Sequence, residues 1–305
     1  MTKPANKFYQ SIKGYKPELI LFSVSLYWGL TFPLIKIVLT DISPGSLVFS
    51  RFLLTILFFF IFFAKQLRQI NSAGFRYGLI LGIFLFLGFL TQTIGLKYTT
   101  ASKSAFITGT NIAILPFVQM LLVRTRPNLA NIIGIAMVLS GLFFLTELKS
   151  ERINFGDIIT LLCAISFAFH IVYLDIYSRK TDAISLVFGQ YVAMLLLSFL
   201  YMMIFENFIF KDFIFVINNT SVFIIIFTSF FSTFLAFYLA IKYQKFLSPV
   251  RAGLIYNMEQ VTAVFSAYFI LSEIMNSNQI IGAVIMTIGL FISEIFTKFK
   301  YERFG

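Results

Sequence analysis

The chain has 305 residues, of which 59% are hydrophobic and 12% charged, with a mean hydropathy of +0.89 and a net charge of +11. Soluble globular domains carry about 25% charged residues, so that class is excluded. The single cysteine, Cys163, excludes an intrachain disulfide and leaves the redox compartment unread.

Apolar segments of about 20 residues, the length that a bilayer ~30 Å thick demands of a spanning helix, recur along the chain. They predict ten spans, over residues 18–39, 44–64, 76–97, 103–122, 130–147, 156–177, 183–205, 221–242, 250–271 and 278–297. The expected fold class is therefore an all-α polytopic membrane protein with ten transmembrane helices. The basic start (Lys3, Lys7, Lys13, Lys16) resembles that of a signal peptide. The apolar run after it is too long and lacks a small-residue cleavage site, so the first span is expected to remain as a helix.

The first span carries the only tryptophan, Trp28, together with Thr31 and Pro33. Its central Trp lies away from the interfacial belts where Trp is enriched, which favours a cavity wall. Ser43-Pro44 opens the second span as N-cap and N1 proline. Arg51 follows about seven residues in, roughly 10 Å below the boundary at 1.5 Å per residue. Ionisable groups in spans usually face a cavity or a partner. Arg51 thus reads as an anion clamp, since guanidinium offers a bidentate fork, or as an interhelical strut. The third span offers Gln92, and the fourth Asn111 and Pro116. The sixth carries the only histidine, His170, and the seventh Gln190. Ser248-Pro249 opens the ninth, which holds Tyr256, Asn257 and Glu259. No Lys or Arg within one turn neutralises Glu259, so it reads as a proton carrier or as a structural carboxyl. The 41 phenylalanines read as lipid-facing replacements for leucine rather than as a functional signal.

With the N-terminus placed in the cytoplasm, seventeen Lys/Arg fall on that side and five on the other. Lys36 and Arg51 lie within spans. The positive-inside rule then puts both termini inside, and the basicity reports topology rather than nucleic acid.

Three stretches are said twice. "SLVFSRFL" (Ser46–Leu53) returns as "SLVFGQYV" (Ser185–Val192), 139 residues later, with Gln190 in place of Arg51. "GLKY" (Gly95–Tyr98) returns as "AIKY" (Ala240–Tyr243), and "IIGIAMVLSGLFF" (Ile132–Phe144) as "IIGAVIMTIGLFI" (Ile280–Ile292), at spacings of 145 and 148. Two five-helix units are expected, over 18–148 and 156–300, after a cytoplasmic segment 1–17. Five is odd, so the second unit starts on the opposite side and the repeats are inverted, an architecture that places a substrate site near the midplane. The 139-residue spacing also sets His170 in register with Thr31.

The stretches "GLKYTTASKSAFITGTNIAILPF" (Gly95–Phe117), "AISFAFHIVYLDIYSRKTDAISLVFGQ" (Ala164–Gln190) and "LSPVRAGLIYNMEQVTAVFSAYFILSE" (Leu247–Glu273) resemble the EamA-type members of the drug/metabolite transporter superfamily. The resemblance covers essentially the full chain. It implies a 5+5 inverted repeat and a central cavity lined mainly by helices other than the fifth and tenth. Where that family commonly reads Glu-Pro-Val, this chain has Glu259-Gln260-Val261, so a proline kink is not implied here.

No HExxH, no phosphate-binding GxxxxGK[ST], no Cys/His cluster and no paired intramembrane carboxylates occur. The expected function is a secondary carrier, exporter or exchanger, of a small organic metabolite such as an amino acid, in a prokaryotic inner membrane. The alternatives are an intramembrane enzyme acting on a lipid or hydrophobic metabolite, and a channel. Expected substrate contacts are Trp28, Thr31, Arg51, Gln92, Asn111, His170, Gln190, Tyr256 and Asn257, with Glu259 coupling protons. No catalytic residue, metal, cofactor or nucleic acid is expected. The expected partners are the substrate and the bilayer, the chain acting as a monomer or weak homodimer.

Overall fold

A computed structural model describes residues 15–99, 101–145, 154–272 and 277–304. Lys3, Lys7, Lys13, Lys149 and Arg152 of the charge count, and most of the 1–17 segment, lie outside the described residues. The described chain is built of helices. In order they are α1 (Lys16–Val38), α2 (Pro44–Phe63), α3 (Ser72–Tyr98), α4a (Ala101–Gly109), α4b (Asn111–Leu122), α5 (Leu129–Leu145), α6 (Phe155–Ser178), α7 (Ala183–Tyr201), α8a (Asn219–Phe227), α8b (Ala236–Gln244), α9a (Pro249–Tyr256), α9b (Met258–Leu271) and α10 (Ser277–Phe304). π-helical turns over Met202–Ile209 and Thr228–Leu235 extend α7 and join α8a to α8b. Six helices or continuous helical runs are long and apolar enough to cross a membrane: Lys16–Val38, Pro44–Phe63, Ser72–Tyr98, Phe155–Ser178, Ala183–Ile209 and Asn219–Gln244. Ile107–Leu122, Leu129–Phe144 and Ile280–Ile292 are shorter apolar helices.

The helix starts follow local chemistry. Asn71 accepts from the Gly74 N–H at 2.6 Å, Asp182 from Ser185 at 2.8 Å, and Asn154 forms a capping box with Asp157. Ser248 accepts from the Arg251 N–H at 3.3 Å, as expected of an N-cap. Ser43 does not cap. The buried carboxylate of Glu206 replaces it, accepting from the Gly45 N–H (2.6 Å), the Ser46 N–H (3.0 Å) and both serine hydroxyls (2.8 Å each). An anion at a helix N-terminus outcompetes a neutral hydroxyl for the same donors.

Packing joins helices far apart in sequence. α1 packs on α9b and α6 on α4b, α3 packs on α7 and α2 on the Thr228–Leu235 turns, while α5 lies along α10 and α2 along α7. The α3–α7 crossing depends on glycine: a Cβ on Gly78 would stand 2.8 Å from the Gly189 Cα, and one on Gly189 would overlap the Phe75 carbonyl. Small residues allow such close approach where apolar lipid gives helices no hydrophobic drive to associate. Phenylalanines serve both outside and inside: Phe62, Phe223 and Phe269 are exposed, whereas Phe52, Phe59 and Phe237 are core.

Two helices break near their middles. α4 breaks at Thr110 and α9 at Asn257, and the breaks touch, with Asn257 Nδ2 donating to Asn111 Oδ1 at 3.0 Å. Neither break falls at a proline. Pro33 and Pro116 lie inside continuous helix.

Candidate functional site

A cavity of about 60 Å³ lies among these helices. A single water needs ~10–15 Å³, so the space suits a small molecule rather than one trapped water. α1 lines it with Trp28 and Thr31, α2 with Arg51, and α3 with Leu85, Phe89 and Gln92. α4 adds Thr108 and Asn111; α6 adds Phe167, His170, Ile171 and Leu174. Phe237, Ala240 and Gln244 come from α8b, and Tyr256, Asn257, Glu259 and Gln260 from α9. Among the described residues α5 and α10 contribute none.

The structure therefore brings together nine of the ten residues named from sequence: Trp28, Thr31, Arg51, Gln92, Asn111, His170, Tyr256, Asn257 and Glu259. Gln190 stands one layer back. It is fully buried and its Oε1 meets His170 Nε2 at 2.9 Å, so it orients the imidazole instead of lining the cavity. Because an amide oxygen only accepts, His170 Nε2 carries the donated hydrogen in this arrangement.

Arg51 is 2% exposed and sits 5.0 Å from the centre of the Phe89 ring. Its Nη2 donates to Ser232 Oγ (3.2 Å) and Thr233 Oγ1 (3.0 Å), and its Nε is buried without an acceptor. No carboxylate pairs with it among the described residues. The fork expected from sequence is thus half occupied, since Nη2 belongs to both edges of the guanidinium. A carboxylate takes an edge only by displacing a hydroxyl, and Ser232 makes the longer contact.

The Thr228–Leu235 turns explain why those hydroxyls are there. π-helical turns leave backbone carbonyls without regular intrahelical partners, and they recur at functional sites. Here Trp28 Nε1 donates to the Ser232 carbonyl (2.9 Å), the Tyr191 hydroxyl to Phe234 (2.7 Å) and Thr55 to Ser229 (3.2 Å). The same segment that fixes Arg51 therefore fixes the Trp28 wall, whose ring lies 5.3 Å from Phe237 and 5.0 Å from Tyr256.

Gln244, not anticipated from sequence, completes the wall. It accepts from the Tyr256 hydroxyl at 3.0 Å and donates to the Ile171 carbonyl at 2.7 Å. Gln92 donates to Thr108 at 3.4 Å, and the Thr31 hydroxyl is turned back onto the Trp28 carbonyl at 2.7 Å. Glu259, like Arg51, forms no ion pair among the described residues. Arg51 and Glu259 are the charged side chains of the lining, one of each sign, from α2 and α9.

Fold and cavity together define a multi-pass membrane protein with an internal polar site. The sequence profile of the EamA-like transporter family matches residues 16–147 and again 154–294, so the chain belongs to that family. It is similar to an uncharacterized transporter of Archaeoglobus fulgidus, at 31% identity over 94% of this chain and 88% of that protein. It is also similar to the uncharacterized transporter YoaV of Bacillus subtilis, at 22% identity over 91% and 96% of the two chains. A protein of known crystal structure shares the fold with a TM-score of 0.72 and 17% identity, over 93% of this chain and 98% of that one. Family and relatives point to a membrane transporter rather than an enzyme.

Proposed function

We propose that the protein is a secondary carrier, exporter or exchanger, of a small organic metabolite such as an amino acid or a related compound. It works by alternating access in a prokaryotic inner membrane, with both termini in the cytoplasm, as a monomer or weak homodimer. The observation that carries this reading is a cavity lined by one guanidinium and one carboxylate from different halves of the chain, neither in an ion pair among the described residues.

Ten spans in two inverted repeats, 18–148 and 156–300, are part of the same reading. Exchange of the halves maps α1 on α9b to α6 on α4b, and α2 on α8 to α7 on α3, and both members of each pair pack. The breaks at Thr110 and Asn257 fall at comparable positions of the fourth and ninth helices. Discontinuous helices meeting between repeats are where carriers of this kind bind cargo. In this reading Arg51 receives an anionic group of the cargo, His170 and the aromatic wall receive its body, and Glu259 carries the coupling proton.

Counterflow tests this reading. Purified protein in liposomes preloaded with an unlabelled amino acid or related metabolite should transiently accumulate the labelled compound, and only with a cognate preload. Uptake indifferent to preload indicates a channel, and chemical conversion of the label indicates an enzyme; either result overturns the carrier.

A further inference from the structure

Three side chains at the α9 break line the cavity with oxygens that have no hydrogen-bond or ion-pair partner among the described residues. The Asn257 amide has a fixed orientation, because its Nδ2 donates to Asn111 Oδ1 (3.0 Å) and to the Gly253 carbonyl (3.1 Å). Its Oδ1 is buried and accepts nothing. Gln260 Oε1 is likewise buried and unpaired, and each of these residues is 2% exposed. Glu259 lies between them in sequence, lines the same cavity and has no hydrogen bond or ion pair among the described residues. Gly109 keeps room beside Asn257 Oδ1, since a Cβ there would stand 3.1 Å from that oxygen.

Buried acceptors left open in a native fold call for an explanation, and a bound cation that takes lone pairs from several of them is one. The donor set here is all oxygen, with one anionic and two neutral members. Hard cations prefer oxygen ligands, and carboxylates supply the charge of such a site. A single negative charge matches a monovalent ion. Broken membrane helices supply such sites because their free backbone ends add further oxygen ligands.

We propose that the α9 break binds a sodium ion through Glu259, Asn257 Oδ1 and Gln260 Oε1. This rests on the carrier reading for the ion's role, since sodium would neutralise the carboxylate that faces the cargo. The binding itself does not require transport.

The test is the thermal midpoint of the purified full-length protein in detergent, with sodium chloride titrated against choline chloride at constant ionic strength. A ligand that binds only the folded state raises the midpoint in proportion to the logarithm of its concentration above saturation. The expected result is such a rise with sodium in the wild type and in Arg51→Lys, and its loss in Gln260→Leu and Glu259→Gln. Gln260→Leu retains the side chain's bulk, and the lost oxygen anchors nothing, so its midpoint in choline should match the wild type. If Gln260→Leu fails to fold, Glu259→Gln alone decides. Equal wild-type midpoints in sodium and choline overturn the site, as does a sodium rise that survives in Glu259→Gln. A rise with methylammonium but none with sodium also overturns it and assigns the oxygens to the cargo's own ammonium group. Sodium binding without counterflow would refute the carrier and leave the site standing; counterflow without sodium binding would refute the site alone.

Discussion

Arg51→Lys is expected to weaken substrate binding roughly 10- to 100-fold while leaving the protein inserted and folded. Lysine preserves the charge but offers a compact ammonium in place of a planar fork. The wild-type guanidinium is held by Ser232, Thr233 and the face of Phe89, and a carboxylate takes one of its edges by displacing the Ser232 hydroxyl from Nη2. Losing one charge-assisted hydrogen bond costs on the order of 1.5–3 kcal/mol, which sets the size of the effect. Gln190→Ala should cost less, because Gln190 reaches the cavity only through His170 and a neutral hydrogen bond contributes roughly 0.5–1.5 kcal/mol. Equilibrium binding to purified variants measures both. Unchanged affinity in Arg51→Lys would reduce the arginine to an interhelical strut.

Glu259→Gln is expected to abolish accumulation driven by an imposed proton or sodium gradient while retaining substrate exchange. An amide keeps the shape of the side chain but has no charge for either cation to neutralise. Exchange needs only a loaded site that reorients, and the carboxyl makes no hydrogen bond or ion pair within the described fold whose loss would unsettle that site. Gradient-driven uptake and counterflow, assayed on the same proteoliposomes, separate the two activities. Full accumulation in the variant would leave Glu259 a structural role.

The membrane class and most of the cavity were legible in the sequence for one physical reason. Polar side chains in a lipid-spanning helix are costly unless they face protein or water, so Arg51, His170, Asn111 and Glu259 declared themselves. Gln190 passes the same filter, yet it supports His170 from behind, because a buried amide is satisfied equally well by a neighbour or by a ligand. Gln244 was missed because a span drawn to 242 leaves it outside, whereas α8b runs through it. Glu206 was missed for a similar reason. A span drawn to 205 stops one residue short of the carboxylate that holds the start of α2.

Other features do carry a signal in the sequence. The hydroxyls Thr228, Ser229, Ser232 and Thr233 crowd one apolar run, and that density marks the irregular turns which anchor Arg51 and Trp28. The α9 break had none. With glutamine where the family commonly has proline, local sequence predicts continuous helix. The interruption at Asn257 instead coincides with tertiary hydrogen bonds to Asn111 and Gly253.

The claim on which alternating access rests is that equivalent loops of the two halves face opposite sides of the membrane. Single cysteines at Thr40, Gln69, Lys180 and Asn219, all exposed positions, test it in a Cys163→Ala background with an impermeant thiol reagent added to intact cells. Thr40, between the first two spans, corresponds to Lys180, and Gln69, between the second and third, to Asn219. The account predicts labelling at Thr40 and Asn219 from outside, and at Gln69 and Lys180 only after the cells are opened. Labelling of Thr40 and Lys180 from the same side would contradict it.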